Sequence, residues 1–323
     1  MDTFQGKKSI IKSLIPLIEN LNFVVINKEK LNSFCDSLHG RHFPFPDWSS
    51  PIIYPNLDET GVDYFILMNS LNFCYWGNPR WTVEYKNRKL DGAWGMFAAL
   101  SRALEEGFPI WDGEFLASLS RTDFATIFRG NVKIPLFEQR LAICREIGRG
   151  LSKQFGGRFY LLVKQAEKSA VKLCELLFTT FPSFDDTSSW EGHHLLFYKR
   201  AQLAPAMLQE RWKGLGPGQF RDIELLTVSA DYKLPQILRR FGIIEYTNGL
   251  DRIVDEGRHL PARSREELEI RSATIMATEM MLSRLQPRIK GLNSQRLDRL
   301  LWLLGQKKSP EDKPYHKTLT INY

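Results

Sequence analysis

Leu226-Thr-Val-Ser-Ala-Asp-Tyr-Lys-Leu-Pro-Gln236 is the stretch on which the reading of this chain turns. The apolar residues Leu225, Leu226, Val228 and Ala230 deliver one carboxylate, Asp231, followed by Tyr232, Lys233 and Pro235. Proline suits the first turn of a helix and drives the residue before it out of the α region. The pattern therefore predicts a break over residues 231–234 and a helix over 236–241, stopped by Gly242. A carboxylate at such a break, between an apolar wall and a helix N-terminus, has its protonation and direction set by its surroundings. An aspartate ahead of a proline-initiated helix also reads as a plain cap. The rest of the chain bears on which reading holds.

Working outward, 323 residues with 43% hydrophobic and 25% charged side chains exclude a disordered chain and leave room for a large core. No run approaches the roughly 18 apolar residues of a membrane span. The opening Met1-Asp-Thr-Phe-Gln-Gly-Lys-Lys8 carries an acid and no long apolar segment, so a secretory signal is not expected. Cys35, Cys74, Cys144 and Cys174 form no CxxC pair, which fits a reduced, cytoplasmic setting rather than disulfides or zinc. A net charge of +7 favours anionic partners, nucleotides and nucleic acids alike, and no basic tail favours the latter. HExxH, GxSxG and Walker A patterns are absent.

Periodicity predicts a helix over 10–18 interrupted at Pro16, a strand over 22–26 and a helix over 28–38. An irregular, proline- and aromatic-rich stretch follows over 40–60. Alternation over 62–75 and in Trp81-Thr-Val-Glu-Tyr85, with Gly77-Asn-Pro79 between, predicts two or three antiparallel strands. Beyond Asp91, an N-cap, the chain reads as helices over 92–106, 121–128, 135–155, 161–178, 193–212, 220–228, 235–241, 264–285 and 294–304. Ser264-Arg-Glu-Glu267 is a capping box, and 318–323 reads as one more strand. The expectation is a mainly α fold with a small antiparallel β-sheet: one domain over 1–323, the sheet before about residue 90 and the helices from 91 on.

Several clusters admit chemistry beside a plainer reading. Asn72-Phe-Cys-Tyr-Trp76 places rings beside an amide, which suits a planar heterocycle but equally a packed core. In Tyr198-Lys-Arg-Ala-Gln202, Lys199 and Gln202 share one helix face, as a solvated surface would also have it. Gly214-Leu-Gly-Pro-Gly218 resembles the hairpin of helix-hairpin-helix elements, or is a joining loop. Glu267 and Arg271 form an i,i+4 pair, and Pro314-Tyr-His-Lys-Thr318 is unusual for a frayed tail. The adjacent His193 and His194 do not share a helix face and make a poor metal pair.

Taken together, Leu71–Trp76, Phe197–Gln202, Leu226–Pro235, Glu267–Arg271 and Pro314–His316 resemble the queuosine salvage family of queuosine 5′-phosphate N-glycosylase/hydrolases, in order along nearly the whole chain. The resemblance implies a fold related to helix-hairpin-helix DNA glycosylases and cleavage of the N-glycosidic bond of queuosine 5′-monophosphate, releasing queuine for tRNA modification. It implies Asp231 as catalytic carboxylate, with Lys199 and Lys233 as candidate charge partners. Asn72, Phe73, Trp76, Gln202, Tyr232, Lys233, Arg271, Tyr315 and His316 become the expected substrate-binding residues, with Lys199, Lys233 and Arg271 suited to the phosphate. No metal or cofactor is needed for such chemistry. The expected partner is the small nucleotide, with neither a membrane nor stably bound nucleic acid, and the expected state is a monomer. The chain departs from the family pattern at Asn69, where aspartate is frequent, at Ser229, where an aromatic is frequent, and over 49–54, which lacks histidine. The competing readings are a DNA or RNA base glycosylase and a non-catalytic nucleotide-binding module.

Overall fold

A computed structural model describes residues 3–38 and 47–323; the predicted irregular stretch lies outside the described residues as far as Pro46. Among the described residues, fourteen α-helices surround three separate two-stranded antiparallel ladders. Local chemistry sets many helix starts. Asn27, Asp58, Ser120, Ser169, Ser264 and Asn293 each accept a hydrogen bond from a backbone N–H of the first turn they precede. The capping box is present in part: Ser264 caps Glu267, whose carboxylate reaches back to the Arg263 amide.

The predicted strand over 62–75 is instead the helix Glu59–Ser70, buried from Gly61 to Ser70. A helix covered on every side has no polar stripe, so its 3.6-residue period is invisible and chance alternation reads as a strand. The Thr82–Tyr85 strand is present, but pairs with Arg88–Asp91 through a turn with Lys86 and Asn87 both at positive φ. A like turn at Glu191 and Gly192 makes Thr187–Trp190 and His193–Leu196 a hairpin, so the helix predicted over 193–212 begins only at Lys199. The third ladder joins Val24–Ile26 to the distant Ile244–Tyr246.

Three further expectations are corrected. The helix over 161–178 is two, Phe159–Gln165 and Ala170–Thr180, split where Glu167 and Lys168 turn to positive φ. Residues 220–228 hold only a short 3-10 turn, Ile223–Leu225. The tail over 318–323 is not a strand; a single bridge pairs Lys317 with His259. The glycines after the Lys199–Arg211 helix form a tight joining turn. A Cβ on Gly218 would meet the Leu208 carbonyl oxygen at 2.4 Å.

Apolar side chains gather in three clusters. The largest lies around Glu59–Ser70, Gly92–Glu105 and Phe137–Gln154, a second between the distant ladder and Arg265–Leu285, a third under Lys7–Ile18. All four cysteines are free and buried. Cys174 has a structural task. Pro205 inside Lys199–Arg211 lacks the N–H that the Ala201 carbonyl would accept, and the Cys174 thiol donates there at 3.2 Å. No described helix is long and apolar enough to cross a membrane.

Candidate active site

Residues 226–230 are buried and lie outside regular secondary structure. A segment outside regular structure must find partners for its backbone polar groups, and here side chains provide them. Gln202 accepts from the Thr227 amide at 2.8 Å, Gln295 donates to the Thr227 carbonyl, and Asp298 accepts from the Ser229 amide. Arg271 donates to the Ala230 carbonyl at 3.2 Å. Four side chains from three helices thus hold the run in place up to the residue before Asp231.

Asp231 itself is half-buried, and its Oδ1 accepts from the amides of Lys233 at 2.7 Å and Leu234 at 3.0 Å. It therefore caps the helix Lys233–Arg240, which starts ahead of Pro235 rather than at it. The same two amides fix the direction of the carboxylate, and no described residue bonds Oδ2. Cap and oriented anion are one arrangement here.

Asp231 opens into a cavity also lined by Asn72, Trp76, Lys199, Tyr232, Lys233 and Tyr315, so seven of the eleven residues singled out in the sequence converge there. Lys199 is buried and donates from Nζ to the Asn72 carbonyl at 2.8 Å. Burial pushes its ammonium down to about 8, against the pull of Asp231. Lys233 donates to Gln236 at 3.1 Å and lies 5.1 Å over the Tyr315 ring; burial lowers its pKa as well. Tyr232 and Tyr315 pack at 4.9 Å, and Trp76 meets the His259 ring edge-on at 5.0 Å. Arg80, paired with Asp91 at 3.3 Å, completes a basic rim near Lys233.

The other four do not line the cavity. Phe73 lies in the core beneath two buried arginines, Arg140 at 4.1 Å and Arg200 at 5.2 Å. Gln202 is occupied with Thr227 and the Phe197 carbonyl. Arg271 forms a buried bidentate pair with Asp186 at 2.8 and 2.6 Å, and so cannot serve a phosphate. His316 is fully buried with Nε2 3.2 Å from the Tyr323 hydroxyl; burial, with the nearby charge of Arg271, pushes it to about 3 and keeps it neutral. Asn69 also faces the core, donating to the Phe65 carbonyl at 2.9 Å, so its difference from aspartate does not touch this cavity. Ser229 does line it.

One carboxylate escaped notice in the sequence. Asp298, on the helix Ser294–Gln306, is buried and lines the cavity. Burial raises it to about 7; the Ser229 amide and Lys199 oppose the rise, and the charge of Asp231 adds to it. The signal was available, since Asp298 interrupts the stripe of Ser294, Leu297 and Leu301 that this helix buries.

A half-buried carboxyl group held by two backbone amides, a second carboxyl raised to about 7 by burial and a lysine lowered to about 8 around one cleft define a small-molecule site with groups suited to acid–base chemistry. The chain belongs to the queuosine salvage protein family, whose sequence profile matches residues 53–323. It is 38% identical over 307 residues, covering 95% of each chain, to a protein of Sphaerobacter thermophilus named queuosine 5′-phosphate N-glycosylase/hydrolase. Proteins of the same name from Mus musculus and Bos taurus are 35% and 34% identical, each with 82% of this chain covered and 83% and 82% of their own.

Proposed function

We propose that this chain hydrolyses the N-glycosidic bond of queuosine 5′-monophosphate and releases queuine, with Asp231 as the catalytic carboxylate. The observation that carries the reading is Asp231 held by two backbone amides in a cleft shared with Lys199 and Asp298, in a chain of this family. Breaking a ribosyl C–N bond builds positive charge at C1′. A fixed carboxylate beside C1′ stabilises that charge, and also orients the attacking water. Asp298, protonated below about pH 7, donates to the departing base. Lys199 anchors the Asn72 turn and balances the two acids. The 5′-phosphate takes the basic rim of Lys233 and Arg80, and its binding energy positions C1′ at a distance from the chemistry. Kinship with helix-hairpin-helix base glycosylases, and action as a single domain and monomer on a free nucleotide, belong to the same proposal.

Incubation with queuosine 5′-monophosphate, with base release followed by chromatography, tests it. Release from the nucleotide and far slower release from the nucleoside is the expected result. Equal turnover of both removes the phosphate role, and no turnover by folded protein removes the reading.

The raised Asp298 carboxyl carries a pH signature. Its folded-state value of about 7 lies above the roughly 3.9 of an unfolded aspartate, so folding favours the protonated form. Its contribution to stability is therefore complete below about pH 4 and is lost as pH rises through about 7. Asp298→Asn keeps an acceptor for the Ser229 amide but cannot ionise. Chemical denaturation at pH 5 and pH 8 should find a smaller loss of stability in the variant than in the parent. Turnover should fall above pH 7 in the parent, and that limb should be missing from whatever activity Asp298→Asn retains. Identical stability profiles would show that Asp298 does not titrate in this window.

A further inference from the structure

The cavity is also lined by a group of side chains that the chemistry at C1′ leaves unused. Arg299 follows Asp298 on the helix Ser294–Gln306 and lines the same cavity. Its guanidinium lies 3.5 Å over the Trp48 ring and 4.8 Å from that of Trp302. Trp94 closes the group, 6.2 Å from Trp48 and 5.8 Å from Trp302. Stacking satisfies the face of a guanidinium but not the N–H bonds in its plane. Here Nε and Nη1 are buried and have no acceptor among the described residues.

The nearby carboxylates do not answer this need. Asp298 accepts from the Ser229 amide, and Glu210 from Arg296 at 2.9 Å. Burial lowers Arg299 to about 10, so it stays charged at neutral pH. A buried cation with unmade hydrogen bonds is costly unless a bound molecule brings the acceptors.

On the reading that the substrate is queuosine 5′-monophosphate, we propose that Arg299 and the indoles of Trp48, Trp94 and Trp302 form a specificity subsite for the hydroxyls of the cyclopentenediol carried by the base. The chemistry of the ligand selects this part of it. The secondary amine of queuine is cationic and is repelled by a guanidinium. The phosphate is assigned to Lys233 and Arg80, which line the same cavity. The hydroxyl oxygens of the diol are neutral acceptors for N–H bonds that lack one, and flat indoles cover the apolar face of a five-membered ring. The competing acceptor is the ring carbonyl, which every 7-deazaguanine shares.

The experiment compares two free bases with the same 7-deazaguanine ring and a cationic amine: queuine, whose secondary amine carries the cyclopentenediol, and 7-aminomethyl-7-deazaguanine, whose primary amine carries no ring. Dissociation constants are measured by calorimetry for the parent chain, Arg299→Met and Arg299→Lys, with melting curves to confirm folding. The parent should prefer queuine by about 10- to 100-fold, the worth of hydrogen bonds to a charged group. Arg299→Met should lower the ratio by about 10-fold or more, leaving only the share that the indoles give the ring, and Arg299→Lys should recover part of the loss. A ratio unchanged in Arg299→Met, equal weakening of both bases, or binding of neither base by the parent overturns the subsite. Binding is read without turnover. An Arg299-dependent preference in a chain that releases no base would sustain the subsite and remove the hydrolase reading, and hydrolysis without that preference would do the reverse.

Discussion

Asp231→Asn is expected to fold with a melting temperature close to that of the parent and to lose about 10²–10³ in turnover, some 3–4 kcal/mol of barrier. The asymmetry follows from what each atom does. Oδ1 accepts from the amides of Lys233 and Leu234, and the carbonyl oxygen of asparagine accepts from both equally well. Asparagine and aspartate are near equals as caps, so the helix start should lose only a few tenths of a kcal/mol. A neutral amide cannot stabilise a cation developing at C1′. The same change removes a neighbouring charge that raises Asp298 and supports the Lys199 ammonium, so the limb assigned to Asp298 should move to lower pH. Full turnover in a folded Asp231→Asn chain would leave Asp231 as a cap alone. Loss of folding together with turnover would assign it to the scaffold.

Arg271→Met is expected to do the opposite, costing about 3–5 kcal/mol of stability. It leaves Asp186 buried with its bidentate partner gone and the Ala230 carbonyl without its donor. Asp186 also accepts from the amide of Lys199 at 3.1 Å, so the damage reaches the start of the helix that carries the cavity lysine. A second replacement, Asp186→Asn, should recover part of the loss, because it removes the unpaired charge rather than the packing. Urea denaturation of the single and double variants checks this. A parent-like midpoint with a raised KM would reinstate Arg271 as a phosphate ligand.

What could be read from the residues was local. Ser264 ahead of Glu267 and the carboxylate placed ahead of Pro235 are arrangements in which neighbours along the chain satisfy one another. These elements appear where expected, within a few residues. Glu59–Ser70 failed because its environment is uniform: with core on every side, the contrast between faces on which periodicity depends is absent. The hairpins at Lys86–Asn87 and Glu191–Gly192 escaped because neither has the usual asparagine–glycine order at its turn.

The site divides along the same line. Asp231, Lys199, Trp76 and Lys233 could be singled out because each sits in a short stretch of unusual chemistry. That they face one cleft, and that Gln202 and Arg271 from equally suggestive stretches do not, depends on which side of a helix meets which neighbour. Composition also determined that the chain could build a core. Folding decided the rest. Asp298 and Arg299 are ordinary residues of an amphipathic helix until the run 226–230 packs beside them. Only then does burial change the proton affinity of the one and leave the other with donors unmet among the described residues, because desolvation is a property of the assembled molecule and not of any stretch of chain.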